Sequence, residues 1–357
     1  AASSTVNTLS NLTIGGSLGG NFDLTKGGAA NLSLVGANTF TGATTILSGT
    51  LFAGAGALAA TSAVNVNGAL LSAVDYNGSA ALTVGAGGMA VISGAGLMLG
   101  GTISNGNVIN FSATTGTIAL GALAGTGNTT FGSNVIVAKA IAAGSVNVAG
   151  SLSADVTGGV VAANALSAGT LSGGVNTIAG NATIFSITGG SIAIGNTADI
   201  WSVNGGNTAV GGAANISTFS SGVLYLNAPS SINTLNGGSL NLGTAVVVNV
   251  AGGNNAGLIN GLGGLTKTDA STLILSGANT YAGETTISAG VLNIQNATAL
   301  GTTAGATTVA SGAALYLQGG ISVGAEALTL NGTGTASGGA LRNISGINVF
   351  QGAISIG

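Results

Sequence analysis

The stretch Gly264-Leu265-Thr266-Lys267-Thr268-Asp269, Leu273-Ile274-Leu275-Ser276-Gly277-Ala278-Asn279-Thr280-Tyr281-Ala282-Gly283, Thr285-Thr286-Ile287 and Gly290-Val291-Leu292 has an earlier copy in the same chain. That copy reads Leu24-Thr25-Lys26, Leu32-Ser33-Leu34, Gly36-Ala37-Asn38-Thr39-Phe40-Thr41-Gly42, Thr44-Thr45-Ile46, Gly49 and Leu51. Corresponding residues stay 241 apart throughout (265 − 24, 277 − 36, 292 − 51), so no gap interrupts the match. A repeat unit that cannot bury its own apolar face must stack on its neighbours. The repeat therefore predicts a solenoid, whose work is done by shape and surface.

Outward from the two copies, one pattern fills the chain: two apolar residues flank a third, and a turn rich in Gly or Asn follows. Examples are Val64-Asn65-Val66, Ile109-Asn110-Phe111, Val146-Asn147-Val148, Leu240-Asn241-Leu242 and Leu315-Tyr316-Leu317. Period two with aliphatic residues is the mark of a strand with one dry face and one wet face. Gly-Gly, Asn-Gly and Ser-Gly pairs supply the turns, because they tolerate positive φ. The fold class is all-β. A parallel β-solenoid is favoured over a sandwich, because the repeat keeps register and Pro229 is the only proline. We expect one continuous rod over residues 1–357, with roughly 20 residues per coil and related segments near 16–60 and 257–301.

Composition removes most chemistry. The chain has 357 residues, no histidine, no cysteine, four cations and seven acids. Without His and Cys there is no Ser-His-Asp triad, Cys-His dyad, zinc site or iron–sulfur cluster. Lys26, Lys139, Lys267 and Arg342 are scattered and the net charge is −3, so no basic face exists to displace counterions from nucleic acid. Glycine, serine or asparagine interrupts every apolar run, so no helix spans a membrane. A charged fraction of 3% leaves Asn, Ser, Thr and Gly to build the surface, and such a surface resists association poorly.

The string 264–269, with Leu273–Tyr281, Thr285-Thr286 and Gly290-Val291-Leu292, resembles the passenger-associated repeat of bacterial autotransporters; Ala299-Leu300-Gly301, Val309 and Ser311-Gly312-Ala313 resemble its next coil. The resemblance is strong over 257–317, weaker over 16–60 and only stylistic elsewhere. It implies a right-handed parallel β-helix exported from a Gram-negative-type cell, where such proteins serve as adhesins, surface layers or stalks. The chain departs from the family pattern in showing no membrane barrel, and it stops at Ile354-Ser355-Ile356-Gly357 inside a strand pattern. The expectation is either a piece of a longer passenger or an open end that receives another copy.

The acids Asp23, Asp75, Asp155, Asp199, Asp269, Glu284 and Glu326 are dispersed, whereas glycosidic hydrolysis needs two carboxyls roughly 5–10 Å apart. Asp269 and Glu284 are the pair to test across a coil, yet Lys267 beside Asp269 reads more simply as a surface ion pair. No catalytic, cofactor or metal residue is assigned. Trp201, the only tryptophan, is the candidate for stacking on a glycan, against a reading as coil-edge or subunit packing. Lys26, Asn38, Phe40, Lys267, Asn279 and Tyr281 are assigned to the repeat scaffold, the aromatics packing over a turn. Thr-Thr pairs at 44–45, 114–115, 129–130, 285–286 and 307–308 are too irregular for an ice-ordering ladder and read as exposed strand residues. Outward asparagines read as stacked amides or wetted faces. The expected function is a non-catalytic surface fibre, layer or matrix that self-associates head-to-tail or laterally. The alternative is an adhesin for glycans or host proteins.

Overall fold

In Val64-Asn65-Val66 the two valines are buried and the asparagine is half-exposed, and the same inward–outward alternation recurs along the chain. A computed structural model describes residues 2–95, 97–111 and 114–357, with the side chains of 138–140 and 143 excepted. The protein is an all-β parallel solenoid. Every strand pairing described below is parallel, and the one helical element among the described residues is the 3-10 turn Thr335–Ser337. The chain divides into two compact units, residues 1–179 and 180–357.

In the first unit each strand is paired with one about a coil away. Leu24 is in register with Thr44, Thr44 with Val64, and Val64 with Leu82. Leu82 continues to Ile103 and Ile103 to Leu123, all of them buried. A second column runs Leu32, Leu51, Leu71, Ala90, Ile109. Each rung lies about 4.8 Å from the next, so aliphatic side chains stack on their own kind and the interior stays dry. Full burial of one such side chain is worth roughly 1.5–3 kcal/mol. Bulky rungs stack in the same way: Phe111 and Phe131 are register partners whose rings lie 4.9 Å apart between centroids.

The second unit repeats the plan, and its first coils are shorter. Ala182, Ala198 and Ala214 are in register, as are Ile184, Ile200, Ile216 and Ile232, with Ile192, Thr208, Leu224 and Leu240 on another face. These coils advance by 16 residues, against 20 for the coil step around Asn38. The expectation of about 20 thus describes the repeat segments and not this region. A shorter coil leaves the inward isoleucines in place, because the turns absorb the difference in length: coils of 19 residues (Leu32 to Leu51) and 21 residues (Leu82 to Ile103) also keep their side chains inward.

Asparagine and aspartate side chains hold the turns. The carboxamide or carboxylate oxygens of Asn11, Asp23, Asn77, Asn134, Asp155 and Asn236 each accept the backbone N–H of a residue in the following coil. These groups satisfy main-chain donors at corners where the strand ladder has stopped. The asparagine-rich composition therefore serves the turns as well as the wetted strand faces.

Candidate functional site

Lys26 and Lys267 sit inside the core columns, not on the surface. Lys26 is the register partner of Ile46, and Lys267 lies between Val250 and Ile287. Both side chains have no exposed area. The aliphatic stem supplies a rung of the column, and the ammonium reaches out of it to the turn. Lys26 Nζ donates to the carbonyls of Gly27, Gly28 and Ser48 at 2.9, 2.8 and 2.8 Å. Lys267 Nζ donates to the carbonyls of Asp269 and Ala289 and to Asp269 Oδ1, the last at 3.1 Å. The Lys267–Asp269 ion pair forms, but only its acid end is at the surface, with side-chain exposures of 0% and 53%. Burial lowers the pKa of both lysines, and for Lys267 the Asp269 carboxylate opposes that shift. The Ser271 hydroxyl and N–H, then Lys267, hold the Asp269 carboxyl below its usual value.

The repeat asparagines link three coils. Asn38 Oδ1 accepts the Leu18 N–H at 2.8 Å and its Nδ2 donates to Ala57 O at 2.9 Å. Asn279 does the same with Ile259 N–H at 2.9 Å and Ala299 O at 2.7 Å. The repeat aromatics are buried beside these corners. Phe40 stacks on Phe22 with centroids 5.4 Å apart. The Tyr281 hydroxyl shares a 2.6 Å hydrogen bond with Thr285 Oγ1, and burial raises its pKa.

The first threonine of each Thr-Thr pair turns inward. Thr44, Thr114, Thr129, Thr285 and Thr307 are all buried, which corrects their reading as exposed strand residues. Their hydroxyls find partners such as Thr61 for Thr44 and the Phe111 carbonyl for Thr114. Thr307 Oγ1 donates to Glu326 Oε1 at 2.9 Å, and Glu326 is only 3% exposed. Burial raises the pKa of that carboxyl, with the Thr307 bond opposing.

The acids are employed singly. Asp23 and Asp155 hold turns, Asp269 meets Lys267 and Ser271, Glu326 meets Thr307, and Asp199 accepts from Asn215. Glu284 is exposed and lines a groove of about 250 Å³ with Leu262, Gly263, Gly264, Thr266 and Thr286. Asp269 is not among the residues of that groove. No group of three potential metal ligands occurs among the described residues.

Trp201 lies on an outward face in the sixteen-residue coils, 60% exposed. Phe185, equally exposed and one coil earlier, stacks on it with centroids 5.9 Å apart and planes 9° from parallel. Sequence reading missed Phe185. Its signal was the spacing of sixteen shared with Ile184 and Ile200, which places 185 beside 201.

A family model, the passenger-associated-transport-repeat, matches residues 24–51 and 265–294. These spans contain both buried lysines, both bridging asparagines and both repeat aromatics. No curated protein and no solved structure matches the chain. The repeat belongs to exported, surface-located passengers, and together with the parallel solenoid it fits an autotransporter passenger.

Proposed function

We propose that this protein is a non-catalytic structural segment of a surface passenger, and that it builds a fibre, layer or matrix by self-association. One observation carries the reading: most of the side chains able to do chemistry are engaged in joining coils. Lys26 and Lys267 clamp turns from within the core, and Asp23, Asp155 and Asp269 hold corners. Isolated carboxylates fit that role and do not fit a general acid and base acting on one bond.

Composition supports the assembly half of the reading: with four cations and seven acids in 357 residues, little charge opposes the approach of a second copy. Electron microscopy of the purified chain over a range of concentrations tests it. Fibres or sheets that lengthen with concentration are expected, whereas separate particles at every concentration would remove self-assembly. An adhesive role has its own observation, the aromatic pair at Phe185 and Trp201.

A further inference from the structure

The face that carries Trp201 is ordered in three columns. The first runs Thr183, Asp199, Asn215, Ser231; the second Phe185, Trp201, Ser217, Asn233; the third Ser186, Ser202, Thr218, Thr234. The aromatic pair therefore has a carboxylate and an amide along one side and hydroxyls along the other. Asn215 Nδ2 donates to Asp199 Oδ1 at 2.9 Å, and Ser202 Oγ donates to Ser186 Oγ at 3.2 Å. Phe185 covers one side of the indole. In the following coil the same column holds only Ser217 and then Asn233, so the side of Trp201 away from Phe185 overlooks small polar groups.

We propose that this face binds a neutral polysaccharide, with Trp201 as the stacking surface and Asp199 and Asn215 as the hydrogen-bonding rim. A pyranose presents apolar C–H groups on its faces and hydroxyls around its edge, and the columns present an apolar ring between two polar lines. Residues two apart on a strand are separated by roughly 6.6 Å and adjacent coils by about 4.8 Å, which suits one sugar on the indole with its hydroxyls at the rim. Asp199 carries the only charge in the three columns, so an anionic sugar meets repulsion with no cation to offset it. A protein partner fits less well. Two rings offer a few hundred Å² at most, below the roughly 800 Å² that a stable partner covers on each side, and hydroxyls and amides surround them.

As the only tryptophan, Trp201 reports on its own site. The test is the emission of the whole chain, titrated with cellohexaose, laminarihexaose, chitohexaose and mannohexaose, beside retention on insoluble cellulose, β-1,3-glucan, chitin and mannan, with alginate and polygalacturonate as anionic controls. A blue shift with at least one oligosaccharide, and retention on the matching polymer, is expected. Trp201→Ala should weaken retention about tenfold or more, and Asp199→Ala and Phe185→Ala severalfold, with circular dichroism unchanged. No shift and no retention across the panel would overturn the proposal, as would retention that Trp201→Ala leaves intact or binding confined to alginate and polygalacturonate. Titration of dilute, non-assembling protein makes the result independent of self-association. If Trp201→Ala abolishes fibres and no sugar binds, the face is a contact between copies and the proposal falls.

Discussion

Lys26 and Lys267, 241 residues apart, aim their ammonium groups at the same two repeat positions: the carbonyls of Gly28 and Ser48 in one copy, Asp269 and Ala289 in the other. One carbonyl lies two residues after the lysine and the other 22 after it, in the next coil. The lysine thus ties a turn to the turn stacked on it while its stem fills a core column. Only the second copy adds a carboxylate, so the first shows what the clamp does unaided.

Removing the ammonium should loosen the local coils. Lys267→Met keeps the apolar stem but leaves the part-buried carbonyls of Asp269 and Ala289 without that donor, at a cost of about 1–3 kcal/mol. Lys267→Ala should cost more, because a rung of the column is lost as well. Asp269→Ala should cost less than either, since Lys26 works without an acid. Hydrogen exchange at the Ser288 amide, which donates to the Lys267 carbonyl, reads each variant directly.

Asn38 and Asn279 should tolerate no isostere. Asn279→Asp keeps the acceptor for Ile259 N–H but sets a carboxylate against Ala299 O, and Asn279→Leu loses both bonds. Each is expected to destabilise by about 2–4 kcal/mol, two unsatisfied buried groups being involved. Equal unfolding midpoints for wild type and Asn279→Leu would refute the three-coil bridge.

Two glycines with the same backbone separate conformational strain from crowding. Gly49 has φ of 67° and Gly68 φ of 65°. A Cβ on Gly49 would stand 2.6 Å from Ala30 O and 2.7 Å from Gly28 O, whereas one on Gly68 meets nothing within 4 Å. Gly68→Ala should therefore cost about 1 kcal/mol for the left-handed conformation alone, and Gly49→Ala clearly more. Denaturation of the pair side by side checks the order, which reversal would contradict.

Stability should depend on pH through Glu326. The carboxyl is buried and accepts from Thr307, and burial raises its pKa above the 4.5 of a free glutamate. The folded protein then holds the proton more tightly than the unfolded chain does. The stabilising contribution is complete below about pH 4.5 and is lost as pH rises through the elevated folded value. Each unit of elevation corresponds to about 1.4 kcal/mol. Glu326→Gln keeps an acceptor for Thr307 and should flatten the fall in melting temperature as pH rises above about 4.5. An unchanged slope in that variant would place the dependence elsewhere.

Much of the fold was legible because period-two patterns and a gapless repeat both reflect stacking. Leu24, Val64, Ile184 and Ile200 face inward as alternation requires. What escaped had a physical reason in each case. Lys26 and Lys267 are charged, and their burial depends on turn carbonyls that only the folded coil brings together. The first threonine of each pair goes inward because its hydroxyl finds a partner there, as Thr285 finds Tyr281. Phe185 gained meaning only once a sixteen-residue step set it beside Trp201.

That sixteen-residue step also makes length an editable quantity. A segment such as residues 198–213 begins and ends at equivalent points of successive coils, so its duplication or loss returns every following side chain to the same facing. One added copy moves the next coil by about 4.8 Å, whereas a single residue gained or lost inside a strand would invert the facing of the rest of that strand. Slippage of a gene by whole coils would then yield a graded series of folded descendants, in which the reach of the protein is set by counting.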